Sequence, residues 1–256
     1  MFLNPRSARI LLYHGICRLT QDTNWLCTSP ERFEAHMRYL KLRKLRGVSV
    51  RELLRAVNSG TARGLVGLTF DDGYENFMAA LPVLERFGFS ATLFVLASMP
   101  KENDWEHDND PRPQMKLLGA ERIREVAARG IEVASHGMSH VRLPNLEPAL
   151  LQEEVSGSRR LLSEALGEEV TGFCYPYGNI DSAATQAVRK AGYAYACTID
   201  IRVVRNAYDL PRINMDERDD LLRFAIKLEA FSQNRLAERI LRRMPASVSS
   251  QSIPRA

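Results

Sequence analysis

Residues 65–73 read LVGLTFDDG. The first six form an apolar, partly β-branched run of strand length, and the paired carboxylates and glycine that follow end it as a turn does. Runs of the same kind stand at 10–13, 91–96, 131–134, 172–175, 195–198 and 210–214. Between them lie loops and segments with helical periodicity. About seven strands alternating with helices predict an α/β fold built on a parallel sheet, either open or closed into a barrel.

The helices carry recognisable ends. Ser29 precedes Pro30 as an N-cap, with Phe33, Met37 and Leu40 on one face and Gly47 as the expected stop. Ser49 and Glu52 have capping-box spacing ahead of Leu53, Leu54 and Val57, and a pattern running from Leu150 to Leu166 ends at Gly167.

With 256 residues, 45% of them apolar and 26% charged, the chain has the makeup of an ordinary globular protein and can bury a substantial core. We expect one domain over residues 1–244, a fraying Ser- and Pro-containing tail over 245–256, and an exposed polar loop over 101–113. No apolar run is long enough to span a bilayer or form a signal-peptide core, so the expected location is cytoplasmic. The net charge of +4 is modest, and basic residues alternate with acidic ones through most helical stretches, which argues against nucleic acid as a partner. The segment from Arg223 to Arg243 is the exception. Its alternating basic and apolar residues favour packing of one face onto the domain, with transient contact with an anionic membrane surface as the alternative. Cys17, Cys27, Cys174 and Cys197 show no C-x-x-C spacing and are expected to be reduced thiols.

The chemistry gathers where the strands end. His14 follows the first run, Asp71 and Asp72 the second, His136 and His140 the fourth, and Pro176 and Tyr177 the fifth. The carboxyl ends of parallel strands are where α/β sites form. Two imidazoles four residues apart plus one carboxylate supply the N and O donors of an open divalent-metal site, Zn most naturally. Adjacent Asp side chains diverge after a strand, so one can ligate while the other faces a metal-bound water. Hydrolysis at such a centre needs a base and an acid, and Asp71 and His14 are the available pair. Taken singly, each motif has a plainer explanation: a helix cap for Asp-Asp-Gly, a packed histidine for Tyr-His.

LTFDDG at 68–73, SHGMSH at 135–140 and YPYG at 175–178 resemble, in order and separation, the first three motifs of the polysaccharide deacetylases, also known as the NodB-homology domain or carbohydrate esterase family four. The resemblance covers roughly residues 9–215. It implies a distorted (β/α) barrel and a metal-dependent hydrolase that removes an N-acetyl group from an amino sugar. It further implies Asp71 as base and Asp72, His136 and His140 as metal ligands, with the Tyr177 backbone N–H as oxyanion donor. The family's usual late acid histidine is missing, since no His follows His140. YHGI at 13–16 is similar to the opening of a subgroup that includes exported poly-N-acetylglucosamine deacetylases, which gives the acid role to His14. Gly137 stands where Ser or Thr is common. Cys174 stands where an Arg usually orients the base, and Arg212, in LPRI at 210–213, is the expected substitute. Tyr74 and Trp105 are candidates for stacking on a sugar ring. A metal-dependent amidase acting on a non-sugar amide and a non-catalytic carbohydrate-binding barrel are the alternatives.

Overall fold

The structure, a computed structural model, describes residues 9–18, 26–103, 115–199 and 206–230. Among the described residues the strands are β1 (Ile10–Tyr13), β2 (Gly15–Ile16), β3 (Cys27–Thr28), β4 (Arg46–Val48), β5 (Leu65–Phe70), β6 (Thr92–Val95), β7 (Glu132–Ser135), β8 (Gly172–Cys174), β9 (Tyr195–Cys197) and β10 (Ile213–Asn214). Eight make one parallel sheet in the order β10-β1-β5-β6-β7-β8-β9, with β4 beside the start of β5; β2 and β3 form a separate parallel pair. The sheet curls into a distorted barrel. Its two edges are bridged by a single segment, because Leu210 pairs with Cys197 of β9 and three residues later Ile213 pairs with Leu11 of β1. The expected strand at 210–214 is thus a seam more than a strand.

The strands are buried on both faces, which is why they read as continuous apolar runs without alternation. Inside the barrel, Ile10, Phe94, Ala134, Cys174, Tyr195, Cys197 and Leu210 pack with Val48, Val50 and Leu53. Gly172 is required there, since a Cβ would collide with the Tyr195 hydroxyl. α2 (Val50–Asn58) thus covers the amino end of the barrel, while the outer face packs against the helices α1 (Pro30–Leu42), α3 (Leu81–Phe87), α4 (Ala120–Ala128), α5 (Pro148–Gln152), α6 (Ser158–Leu166), α7 (Ser182–Lys190) and α8 (Leu221–Ala230).

The expected caps form. Ser29 accepts from Arg32 N–H at 3.3 Å and Ser49 from Glu52 N–H at 3.1 Å. The other first-turn donors of α2 are met from the sheet: Val50 N–H donates to the Thr92 hydroxyl oxygen at 2.9 Å and Arg51 N–H to Glu132 at 3.0 Å. Glu132 also accepts from Thr92 at 2.7 Å and Tyr195 at 3.0 Å, which closes the amino end of the barrel.

Two expectations are corrected. α1 stops at Leu42, before Gly47, which lies instead in β4, where a Cβ would run into a Leu68 methyl. Cys17 and Cys27 are joined as a disulfide, because β2 and β3 pair in parallel and bring them side by side; Cys174 and Cys197 are buried free thiols. The favoured reading of the segment from Arg223 holds for its described part, since α8 packs its apolar face onto the domain: Phe224 stacks on His36 at 4.2 Å, and Phe224 and Leu228 are fully buried. His36 donates through Nε2 to the Asp219 carbonyl at 2.6 Å and accepts at Nδ1 from the Tyr13 hydroxyl at 3.0 Å, tying α1 and the α8 segment to β1. No helix among the described residues is long and apolar enough to cross a membrane. The rest of the basic segment, the tail at 245–256 and most of the 101–113 loop lie outside the described residues.

Candidate active site

The residues singled out at the strand ends converge at the carboxyl end of the barrel. Asp71 continues the ladder, its N–H donating to the Tyr13 carbonyl at 3.0 Å, and its side chain enters the lumen. Asp72 and Gly73 then take left-handed conformations, φ 69° and 74°, which turn the chain and send Asp72 the other way. The two carboxylates therefore diverge as expected. Asp71 meets Arg212, which arrives on the seam; Nη1 donates to Oδ1 at 2.6 Å and Nη2 to Oδ2 at 2.7 Å. Arg212 is 1% exposed, and its guanidinium also donates to the Thr69 hydroxyl at 3.2 Å and the Thr198 carbonyl at 3.3 Å.

Asp72 meets the histidines. His136 Nε2 and His140 Nε2 lie 3.2 and 3.3 Å from the same oxygen, Asp72 Oδ1. His136 Nδ1 contacts the Cys174 carbonyl at 2.9 Å; a carbonyl only accepts, so Nδ1 carries a proton, which orients the ring with Nε2 toward Asp72. Nε2 of each ring therefore faces one carboxylate oxygen, an arrangement that suits a cation shared among the three. All three residues are nine-tenths buried or more, and their ligating atoms lie within 4.8 Å of one another. The donor set thus fits a divalent metal. Asp71, His136 and Cys174 form a second close group, but there the guanidinium of Arg212 supplies the positive charge, 3.0 Å from the Cys174 sulfur.

The electrostatics follow from this layout. Burial alone pushes the Asp71 carboxyl up, yet Arg212, helped by His136 and His14, more than offsets it and holds the group below the usual carboxylate range. Asp72 is likewise opposed by burial and is held well below that range by its two imidazole partners. Burial raises the Cys174 thiol, which stays neutral.

His14 is half-buried and makes no hydrogen bond among the described residues, while its charge acts on both Asp71 and Asp72. Tyr177 sits in a short 3-10 turn (Pro176–Gly178) with φ 58° and ψ 7°, and its ring packs on His140 at 4.5 Å between centroids. Arg142 lies over the Tyr177 ring at 4.0 Å and donates to Asn179. Asp72, His140 and Tyr177 are all left-handed without being glycine, a concentration of backbone strain at one place in the molecule. Tyr74 does not serve as a stacking platform, because it is 1% exposed in a small cluster with Cys27, Leu96, Met115 and Leu117. Trp105 lies outside the described residues.

The sequence pattern does not disclose Glu154. It lies in a π-helical turn (Glu153–Gly157) between α5 and α6, and its carboxylate reaches back to the loop joining the two histidines. Only the interruption of a regular helical period would have marked it, and a single π turn leaves the apolar pattern almost unchanged.

A buried Arg–Asp pair beside an Asp–His–His metal-binding group, at the carboxyl end of a curled parallel sheet, defines a hydrolase-type site. The chain belongs to the polysaccharide deacetylase family, whose model matches residues 58–196. It is 30% identical over 199 residues to the Bacillus subtilis protein YxkH, assigned to the polysaccharide deacetylases; the match covers 77% of this chain and 66% of that protein, just under two thirds of its length. It is 23% identical over 216 residues to a poly-beta-1,6-N-acetyl-D-glucosamine N-deacetylase of Staphylococcus aureus, covering 78% of this chain and 70% of that one. In fold it is similar to a Bacillus cereus polysaccharide deacetylase, with TM-score 0.72, 24% identity and coverage of 86% and 68% of the two chains. It is also similar to IcaB from Ammonifex degensii, with TM-score 0.72, 23% identity and coverage of 89% and 97%.

Proposed function

We propose that this protein hydrolyses the N-acetyl group of an amino sugar in a saccharide or glycoconjugate, releasing acetate and a free amine. The observation that carries this most directly is the division of labour between Asp71 and Asp72: one is clamped by Arg212, the other shared by two imidazoles. Asp72, His136 and His140 would hold a divalent ion, most naturally Zn, which when bound supplies Lewis-acid polarisation of the acetyl carbonyl and a more acidic water. Asp71 accepts the proton from the attacking water. Its low pKa keeps it ionised at neutral pH, and each carboxylate oxygen keeps a second lone pair after the Arg212 fork is satisfied. Arg212 is a positioning residue that fixes the carboxylate plane. The Tyr177 backbone N–H donates to the developing oxyanion, and His14, unencumbered by hydrogen bonds to the described residues, protonates the departing amine.

The substrate class we favour is a short or lipid-linked N-acetylamino sugar within the cytoplasm. The relatives of similar sequence include an enzyme named for a polymer, so comparing acetate release from short and polymeric substrates decides chain length. The cytoplasmic location stands only if Cys17 and Cys27 are reduced in the cell, since thiols there are kept so. Fractionation with thiol labelling tests that. For the chemistry, Asp71→Asn is expected to cut turnover by ~10² to 10⁴ while retaining bound metal. Loss of metal together with activity would show that Asp71 is a ligand and overturn the assignment.

A further inference from the structure

We infer that Glu154 is a positioning residue for metal binding, holding the two candidate imidazole ligands in place from outside the site; this rests on the proposed metal-dependent function. The loop 136–140 carries a histidine at each end, so its internal shape sets the distance and angle between them. Its carbonyls are held from the β6 side, where Ala97 N–H donates to the Gly137 carbonyl at 3.0 Å and Ser98 N–H to that of Met138 at 3.1 Å, and its donors are gathered by one side chain. Glu154 Oε2 accepts from the backbone N–H of Met138 at 2.9 Å and of Ser139 at 3.2 Å, and Oε1 accepts from the Ser139 hydroxyl. Glu154 is 8% exposed. Three donors from two consecutive residues thus converge on a single buried group, a cage for an anion built by the loop.

Gly137 completes it. Its φ is +85°, and a Cβ there would come within 3.1 Å of Glu154 Oε2. Glycine suits this position on both counts, the left-handed backbone and the carboxylate packed against it. The Gly137 N–H is served from the opposite side by the Ser135 hydroxyl at 3.2 Å, and Ser135 in turn donates to Ser158 at 3.1 Å, one residue beyond the π turn. The loop is therefore pinned at both faces to the helical segment containing Glu154. Glu154 itself lies within the π turn, where the regular helical period is interrupted. Two consequences arise for the ligands: the left-handed His140, φ 63°, is held against relaxation, and a negative charge is placed behind the imidazoles.

The test is metal affinity measured by chelator competition on the full chain, together with the visible spectrum of the Co(II)-loaded protein and the thermal midpoint of the metal-free protein. Glu154→Ala is expected to weaken Zn(II) binding by roughly 10- to 100-fold and to shift the Co(II) bands. Glu154→Gln, which keeps an acceptor but no charge, should fall between it and the parent. Ser139→Ala removes one donor at an exposed position and should weaken binding by only a few fold, which keeps the test open if Glu154→Ala does not fold. Parental affinity and unchanged Co(II) bands in both Glu154→Gln and Ser139→Ala would overturn the assignment, as would a lowered metal-free midpoint with affinity intact. Failure of the parent itself to bind a divalent ion would overturn the metal-dependent function, a separate result.

Discussion

The barrel buries polar groups at both ends, and the two ends differ in kind. At the amino end Glu132 gathers three donors, the hydroxyls of Thr92 and Tyr195 and the backbone N–H of Arg51. Burial, then the neighbouring Glu132, push the Tyr195 phenol well above its ordinary value, so it remains a neutral donor. That cluster is satisfied within itself and seals α2 against the sheet. At the carboxyl end Asp71 is paired, but Asp72 and the Nε2 atoms of both imidazoles converge on one another, and His14 has no hydrogen bond among the described residues. One end uses its polar groups for closure. The other keeps them directed at a common point, with the left-handed residues Asp72, His140 and Tyr177 gathered around it.

The contrast can be broken by substitution. The largest effect is expected at Arg212. Arg212→Met strands the buried Asp71 and should cost about 3–5 kcal/mol of stability and roughly 100-fold or more in turnover. Because Arg212 helps hold the Asp71 pKa down, its removal raises that pKa, and the acid limb of kcat/KM moves to higher pH. Arg212→Lys keeps charge without the fork and should be intermediate on all three measures. A full-speed Arg212→Met enzyme with an unmoved acid limb would show that Asp71 needs no orientation.

Next in size is Glu132→Ala, which leaves buried donors unmet and should cost about 1–3 kcal/mol in a denaturant titration. The folded fraction should turn over at the parental rate. A large fall in kcat without a fall in stability would erase the distinction between the two ends.

At neutral pH the smallest effect is that of His36, which shows itself as a pH dependence on the acid side. Burial lowers its pKa to about 4, so the folded state keeps it neutral while an unfolded chain protonates it near 6.5. Between those values the unfolded state binds more protons, and stability falls as pH falls, by up to about 1.4 kcal/mol per pH unit. His36→Gln should flatten that slope between pH 6.5 and 4 in chemical denaturation. An unchanged slope would assign it to other groups.

The long-range plan was legible because both-face burial writes each strand as an unbroken apolar run, and because α/β sites gather where such runs end. Asp71, Asp72, His136 and His140 each follow a run closely, so their convergence could be read without knowing the strand order. Features created by chain approach were not legible. β2 and β3 are two residues each, and the Cys17–Cys27 pair depends on their register. Gly47 looked like a helix stop because a missing side chain signals a turn and a close neighbour equally well. Glu154 serves a loop on another element, through a helical irregularity that periodicity cannot register.

The seam at 210–214 sets the order in which this protein can become active. Arg212 is held between pairings to β9 and to β1, so the guanidinium reaches Asp71 only when the last strand finds the first across almost the whole chain. Such a contact carries a large loop-closure cost and forms late. A nascent chain still missing its final fifth, or a finished one clipped just ahead of the seam, would retain most of its sheet and all three candidate metal ligands yet lack an oriented base. Ligand binding and turnover should therefore part company during synthesis and under limited proteolysis, with metal uptake preceding the onset of hydrolysis.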